Sequence, residues 1–229
     1  MYHGQVITFA AALVVALAVS NLEPGTRNRE VGTGNREPRP RIVAFGDSLT
    51  SGYGIGESRA FPAILQKRID DAGFEYEVVN AGVSGDTSAR AVPRLERALE
   101  GNVRVLIVAL GANDGLRGMP VETVKANLSR IIETAQARGI QVLLCGMEAL
   151  PNARQGGLSY TMGFHNLFGE LAARYDVPLV PFMMFNVIGN PKLMQPDRVH
   201  PNADGARAIA ENIWPYLQGL LARTAQPLK

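Results

Sequence analysis

Five short apolar runs, each followed by a stretch with helical spacing, constrain this chain more than any other feature. Ile42–Phe45, Glu77–Val79, Val103–Leu110, Ile140–Leu144 and Val177–Val180 read as strands. Between them, Phe61–Ala72, Thr87–Leu99, Val121–Ala137 and Tyr160–Tyr175 carry apolar residues at helical intervals, as does Ala203–Ala222 after the last strand. Val121, Val124, Leu128, Ile131, Ile132 and Ala135, for example, fall on one face. Pro215 should kink or split the last helix. Strands that are apolar on both faces and alternate with helices belong to a parallel sheet covered on both sides. The class is therefore α/β, doubly wound, and ligands of such sheets bind beyond the C-terminal strand ends.

The residues at those ends are short polar blocks. Gly46-Asp47-Ser48-Leu49-Thr50 follows the first strand and Gly82-Val83-Ser84-Gly85-Asp86-Thr87 the second. Gly111-Ala112-Asn113-Asp114-Gly115 follows the third, and Asp197-Arg198-Val199-His200-Pro201 precedes the last helix. Taken singly, each has a plain structural reading. Ser48 is suited to cap a helix, Gly85 to a turn and Asn113-Asp114 to a cap or turn, and an isolated Asp-x-x-His carries little weight. Together they supply what acyl transfer from a serine requires. A hydroxyl is a poor nucleophile until a base takes its proton, and His200 is the available base. Asp197, three residues earlier, can hold the far imidazole nitrogen. The Ser48 and Gly85 N–H groups and the Asn113 amide can receive the oxyanion. His165 lies in an expected helix without an acid at useful local spacing, and His3 falls in the N-terminal apolar segment.

Composition excludes other classes. With 23 Lys and Arg against 21 Asp and Glu, the formal charge of +2 gives no basic stripe for nucleic acid. One cysteine, Cys145, and three histidines exclude an intramolecular disulfide and argue against a Cys- or His-rich metal site. No phosphate-binding Gly-x-x-x-x-Gly-Lys loop occurs, and no Gly-x-Gly-x-x-Gly opens a helix after the first strand. This weighs against the alternative of a non-catalytic ligand-binding module on the same scaffold. The Gly-x-Ser-x-Gly elbow of the α/β-hydrolases is absent around Ser48, and Ser84, in a near miss to it, reads as a decoy.

At the amino end, Val6–Val19 is an apolar run of 14 residues, short of the about 20 that cross a bilayer. It fits an export signal with small-x-small sites at Ala16-Leu17-Ala18 or Ala18-Val19-Ser20, although MYHGQ before it holds no Lys or Arg. Residues 1–20 are thus expected to be a signal peptide or an apolar anchor, and residues 21–40, rich in Gly, Pro and Arg, a flexible tether. The folded domain is expected over residues 41–229. A cleaved signal implies a periplasmic or secreted protein, and an uncleaved one a membrane tether.

The four blocks resemble the SGNH (GDSL) hydrolase family: GDSLTSGYG at 46–54, SGDTS at 84–88, GANDG at 111–115 and DRVHPN at 197–202. VVNAGVSGDTS (78–88), GANDGLRGMP (111–120) and VPLVPFMM (177–184) are similar to the bacterial thioesterase/lysophospholipase/arylesterase branch. The resemblance implies a flavodoxin-like three-layer α/β/α sandwich with strand order 2-1-3-4-5. It assigns Ser48 as nucleophile, Asp197 and His200 as its triad partners, and Gly85 and Asn113 as completing the oxyanion hole. It implies no cofactor and no metal, and a small acyl ester or thioester as partner. It sets no oligomeric state. Leu49, Leu116, Met119, Phe182 and Met183 are candidate acyl-groove residues, and Pro151–Ser159 is expected to line the cleft. A carbohydrate O-acetyl esterase is the alternative within the family.

Overall fold

The computed structural model describes residues 38–149 and 157–224. The expected signal, most of the tether and most of the Pro151–Ser159 segment lie outside these residues.

Five strands form one parallel sheet: β1 (Arg41–Gly46), β2 (Glu77–Gly82), β3 (Val103–Ala109), β4 (Gln141–Cys145) and β5 (Leu179–Val180). Their order is β2-β1-β3-β4-β5, as the family resemblance implied. The helices are α1 (Ser48–Ser51), α2 (Phe61–Asp71), α3 (Ser88–Ala91), α4 (Leu95–Ala98), α5 (Ala112–Arg117), α6 (Val121–Ala137), α7 (Gly157–Tyr175) and α8 (Ala203–Thr224). α2 packs on α8 and α6 on α7, giving a helical layer on each side of the sheet. The central strands are apolar over Ile42–Phe45 and Val105–Ala109, all fully buried, because both faces are covered there. Among the described residues no helix is long and apolar enough to cross a membrane.

Two helices depart from the sequence expectation. Thr87–Leu99 is not one helix: α3 and α4 are separated by a 3₁₀ turn over Val92–Arg94. Pro93 has no N–H to continue the α-helical ladder, so the chain tightens there. The terminal helix, expected to kink or split at Pro215, runs through it as one element to Thr224. Ile209, Ile213, Leu217 and Leu221 are fully buried on its inner face, and this packing on both sides of the proline offsets one lost hydrogen bond. β2 also extends three residues past Val79, because Ala81 and Gly82 pair with Phe45 and Gly46.

Strand order reverses between β1 and β3, which opens a crevice at their C-terminal ends. α1 and α5, each starting within three residues of its strand's end, flank that crevice.

Candidate active site

Ser48 opens α1, a helix of only four residues that is wedged against the strand ends. A Cβ on Gly46 would stand 1.9 Å from Thr50 Oγ1, and one on Gly82 2.3 Å from the Ser51 amide nitrogen. Glycine at both positions is what lets the turn sit down on the sheet. Asp47 caps the turn, its Oδ1 accepting from the Leu49 N–H at 3.0 Å, and Gly52 in the left-handed region closes it onto the Ser48 carbonyl.

His200 Nε2 lies 3.0 Å from Ser48 Oγ, and His200 Nδ1 lies 2.7 Å from Asp197 Oδ2. The other oxygen of Asp197 accepts the Val199 and His200 amides at 2.9 and 3.0 Å. These amides, above all that of His200, together with the imidazole, hold the Asp197 carboxyl at about 2, below its ordinary value. It is an anion at any pH at which the protein would work. The loop is clasped by Gln195, whose side-chain amide donates to the Tyr53 and Pro201 carbonyls at 2.7 and 2.9 Å. The Tyr53 ring lies 4.5 Å from that of His200. Ser84 is elsewhere engaged, its Oγ 2.9 Å from Ser51 Oγ.

Asn113, on α5, donates from Nδ2 to Asp47 Oδ2 at 3.3 Å, and an amide nitrogen carries a second N–H beyond the one spent there. Burial is the first cause acting on Asp47 and raises its carboxyl to about 6, despite the Leu49 and Asn113 contacts. Next to Asn113, buried Asp114 receives the Ser88 amide at 2.8 Å and the Ser88 hydroxyl at 2.7 Å, which ties the third block to the second. Gly85 sits at φ 80°, in the region glycine favours, and its carbonyl accepts from Arg117 Nη2 at 3.1 Å.

Arg94 was not singled out in the sequence. Its guanidinium donates to Gly46 O, Ala81 O and Asp86 Oδ2, each at 2.7 Å, and stacks 4.1 Å from the centre of the Phe45 ring. One side chain thus joins the ends of β1 and β2 to the Gly85 block. His165 does have an acid, Glu148 Oε1 at 2.6 Å, but from the end of β4 and not from its own helix.

A cavity of about 300 Å³ opens beside Ser48, Asn113 and His200. Leu49, Leu116 and Phe182 line it, joined by Met147, Ala149, Met184, Ile188 and Val199. Met183 and Met119 do not. Met183 is fully buried in the core, with its backbone N–H on the Gly146 carbonyl, and Met119 is partly buried against that core. Of the 182–184 segment, Phe182 and Met184 face the cavity and Met183 faces the core.

With the strand order and the four blocks in place, residues 44–208 match the GDSL-like lipase/acylhydrolase family. The chain belongs to that family. It is an ester hydrolase by membership, and its relatives agree. Esterase TesA of Pseudomonas aeruginosa is 39% identical over 181 residues, which are 79% of this chain and 89% of TesA. The thioesterase 1/protease 1/lysophospholipase L1 of Escherichia coli K12 is 35% identical, over 82% of this chain and 84% of its own. The psychrotrophic esterase EstA of Pseudoalteromonas sp., solved in a form inhibited by monoethylphosphonate, superposes with a TM-score of 0.74 at 30% identity, covering 80% of this chain and 98% of EstA.

Proposed function

We propose that this family member cleaves esters and thioesters of apolar acyl chains through an acyl-enzyme on Ser48. The observation that carries the reading is the unbroken chain Asp197–His200–Ser48, with hydrogen bonds of 2.7 and 3.0 Å, opening onto an apolar cavity. His200 Nε2 takes the Ser48 proton as Oγ attacks the carbonyl carbon, and the Asp197 carboxylate stabilises the imidazolium that forms. The oxyanion is received by the Ser48 and Gly85 amides and the second N–H of Asn113. His200 then returns the proton to the departing alkoxide or thiolate. Water, deprotonated by the same imidazole, releases the acid and restores Ser48. The names of the relatives, esterase and thioesterase/lysophospholipase, point to the same substrate class.

A fluorophosphonate should label the wild type once per chain and Ser84→Ala equally, but not Ser48→Ala. Turnover of p-nitrophenyl esters from acetyl to palmitoyl should follow the labelling. Labelled or active Ser48→Ala protein, freed of host esterase, overturns the mechanism. We further propose that residues 1–20 are an export signal: the intact mass of exported protein should then correspond to a chain beginning near Val19 or Asn21, and a full-length, membrane-bound product would make them an anchor instead.

A further inference from the structure

Arg198 stands in the middle of the Asp197–His200 turn at φ 58°, an uncommon backbone conformation for any residue but glycine. The conformation is secured by the Arg198 N–H on the Gln195 carbonyl at 2.9 Å and by the next two amides on Asp197. Its guanidinium is exposed and makes no hydrogen bond or ion pair with any described residue. The nearby acids are spent elsewhere: both Asp197 oxygens are taken by the turn and the imidazole, and Glu148, on the cavity wall, holds His165.

Among the described residues Arg198 is also the only one that lines both the cavity beside Ser48 and a second, separate groove. That groove is about 680 Å³ and runs between Gly189–Pro191 and Met194–Pro196. The first cavity is walled by Leu116, Met147, Phe182, Met184 and Ile188 and suits a hydrocarbon chain. A substrate with its acyl chain there and its carbonyl at Ser48 must send its other end elsewhere. Of the residues lining the groove beyond the lip, only Arg198 is charged.

We propose that Arg198 is a specificity residue that recognises a phosphate carried on the leaving-group side of the substrate. A planar guanidinium fork pairs bidentately with phosphate oxygens, and an exposed cation gains most from a partner with more than one charged oxygen. The inference rests on the acyl-enzyme reading above and adds the chemistry of the departing half.

Two matched pairs test it, each delivering the same decanoyl group to Ser48. They are 1-decanoylglycerol against its 3-phosphate, and the N-acetylcysteamine thioester against decanoyl-coenzyme A. The readout is the ratio of kcat/KM, phosphorylated over neutral, in the wild type, Arg198→Gln and Arg198→Lys. Any general effect of the substitution on the His200 turn cancels in that ratio. Arg198→Gln should lower the ratio by about tenfold and Arg198→Lys by less, because lysine keeps the charge but not the fork. Raising the ionic strength should narrow the wild-type ratio and leave that of Arg198→Gln where it is. A response in the glycerol pair identifies a glycerophosphate leaving group, and one in the thioester pair a nucleotide thiol; either supports the assignment. A ratio unmoved in both pairs overturns it while leaving the acyl-enzyme reading intact. Absence of both turnover and fluorophosphonate labelling in the wild type removes the underlying reading as well.

Discussion

Ser48, Gly85 and Asn113 stand at strand ends that are joined through buried polar groups, whereas Asp197 and His200 stand on a loop between β5 and α8 with neither helix nor strand. On the first side Asp47, Asp86, Ser88 and Asp114 are all at most 2% exposed; Arg94 holds Asp86, Asn113 holds Asp47 and Ser88 holds Asp114, across 8 to 66 residues of sequence. On the second side the Asp197 side chain is 40% exposed, and its contacts reach only two or three residues along the chain. The two sides obtain precision differently. A satisfied buried network is stiff and costly to disturb, so the groups proposed to receive the oxyanion are positioned before substrate arrives. The Asp197–His200 loop is held by local bonds, and its alignment to Ser48 depends on a few contacts, chiefly those of Gln195.

Substitutions can break this contrast. The largest effect belongs to the atom both sides serve: Ser48→Ala should lower kcat by about 10⁴ or more, with the melting temperature nearly unchanged. Asn113→Ala should lower kcat by about 10²–10³ with little change in KM, and keep the acid limb of the pH–rate profile in place. Asp197→Asn should lower kcat at least as far and move that limb to lower pH, because an imidazolium without a carboxylate beside it is harder to form. Steady-state kinetics across the active pH range decides it; a moved limb in Asn113→Ala and a fixed one in Asp197→Asn would reverse the roles.

Stability should separate the sides next. Arg94→Met keeps the packing on Phe45 but leaves the buried Asp86 with only Arg90 at 3.5 Å, and should cost about 3–5 kcal/mol in a denaturant melt. Gln195→Ala removes two exposed-side contacts and should cost about 1–2 kcal/mol, while lowering kcat out of proportion to that loss. Equal stability losses would mean that the loop is as much part of the core as the strand ends are.

The smallest effect concerns Asp47. Its folded carboxyl is raised to about 6 from 3.8, so the folded state binds the proton more tightly than the unfolded one. The stability this contributes is complete below 3.8 and is lost as pH rises through 6. Asp47→Asn removes that dependence and should flatten thermal stability over the interval, while lowering kcat a few-fold, because one amide oxygen cannot serve both Leu49 and Asn113. Asp197 works the other way: its carboxyl lies at about 2, so its contribution is present above 3.8 and fades as pH falls through 2. Melts at a series of pH values separate the two.

Local pattern was enough for the architecture, because burial on one face of a helix or both faces of a strand repeats along the chain itself. Val103–Leu110 and Val121–Ala137 are legible for that reason, and so are the polar blocks that interrupt the pattern at strand ends, with Ser48, Gly85, Asn113, Asp197 and His200 among them. Strand order came with the family's motifs and not from periodicity, since a crossover leaves no trace in spacing. What only the tertiary structure decided are the contacts between distant residues. Arg94 reaches Gly46 across 48 positions, and His200 reaches Ser48 across 152. The pairing of His165 with Glu148, the burial of Met183 and the continuity of α8 through Pro215 belong with them. A hydrogen bond or a buried face is set by where the chain returns, and that is fixed by packing of the whole sheet and its helices; a residue's own neighbours in sequence carry no record of it.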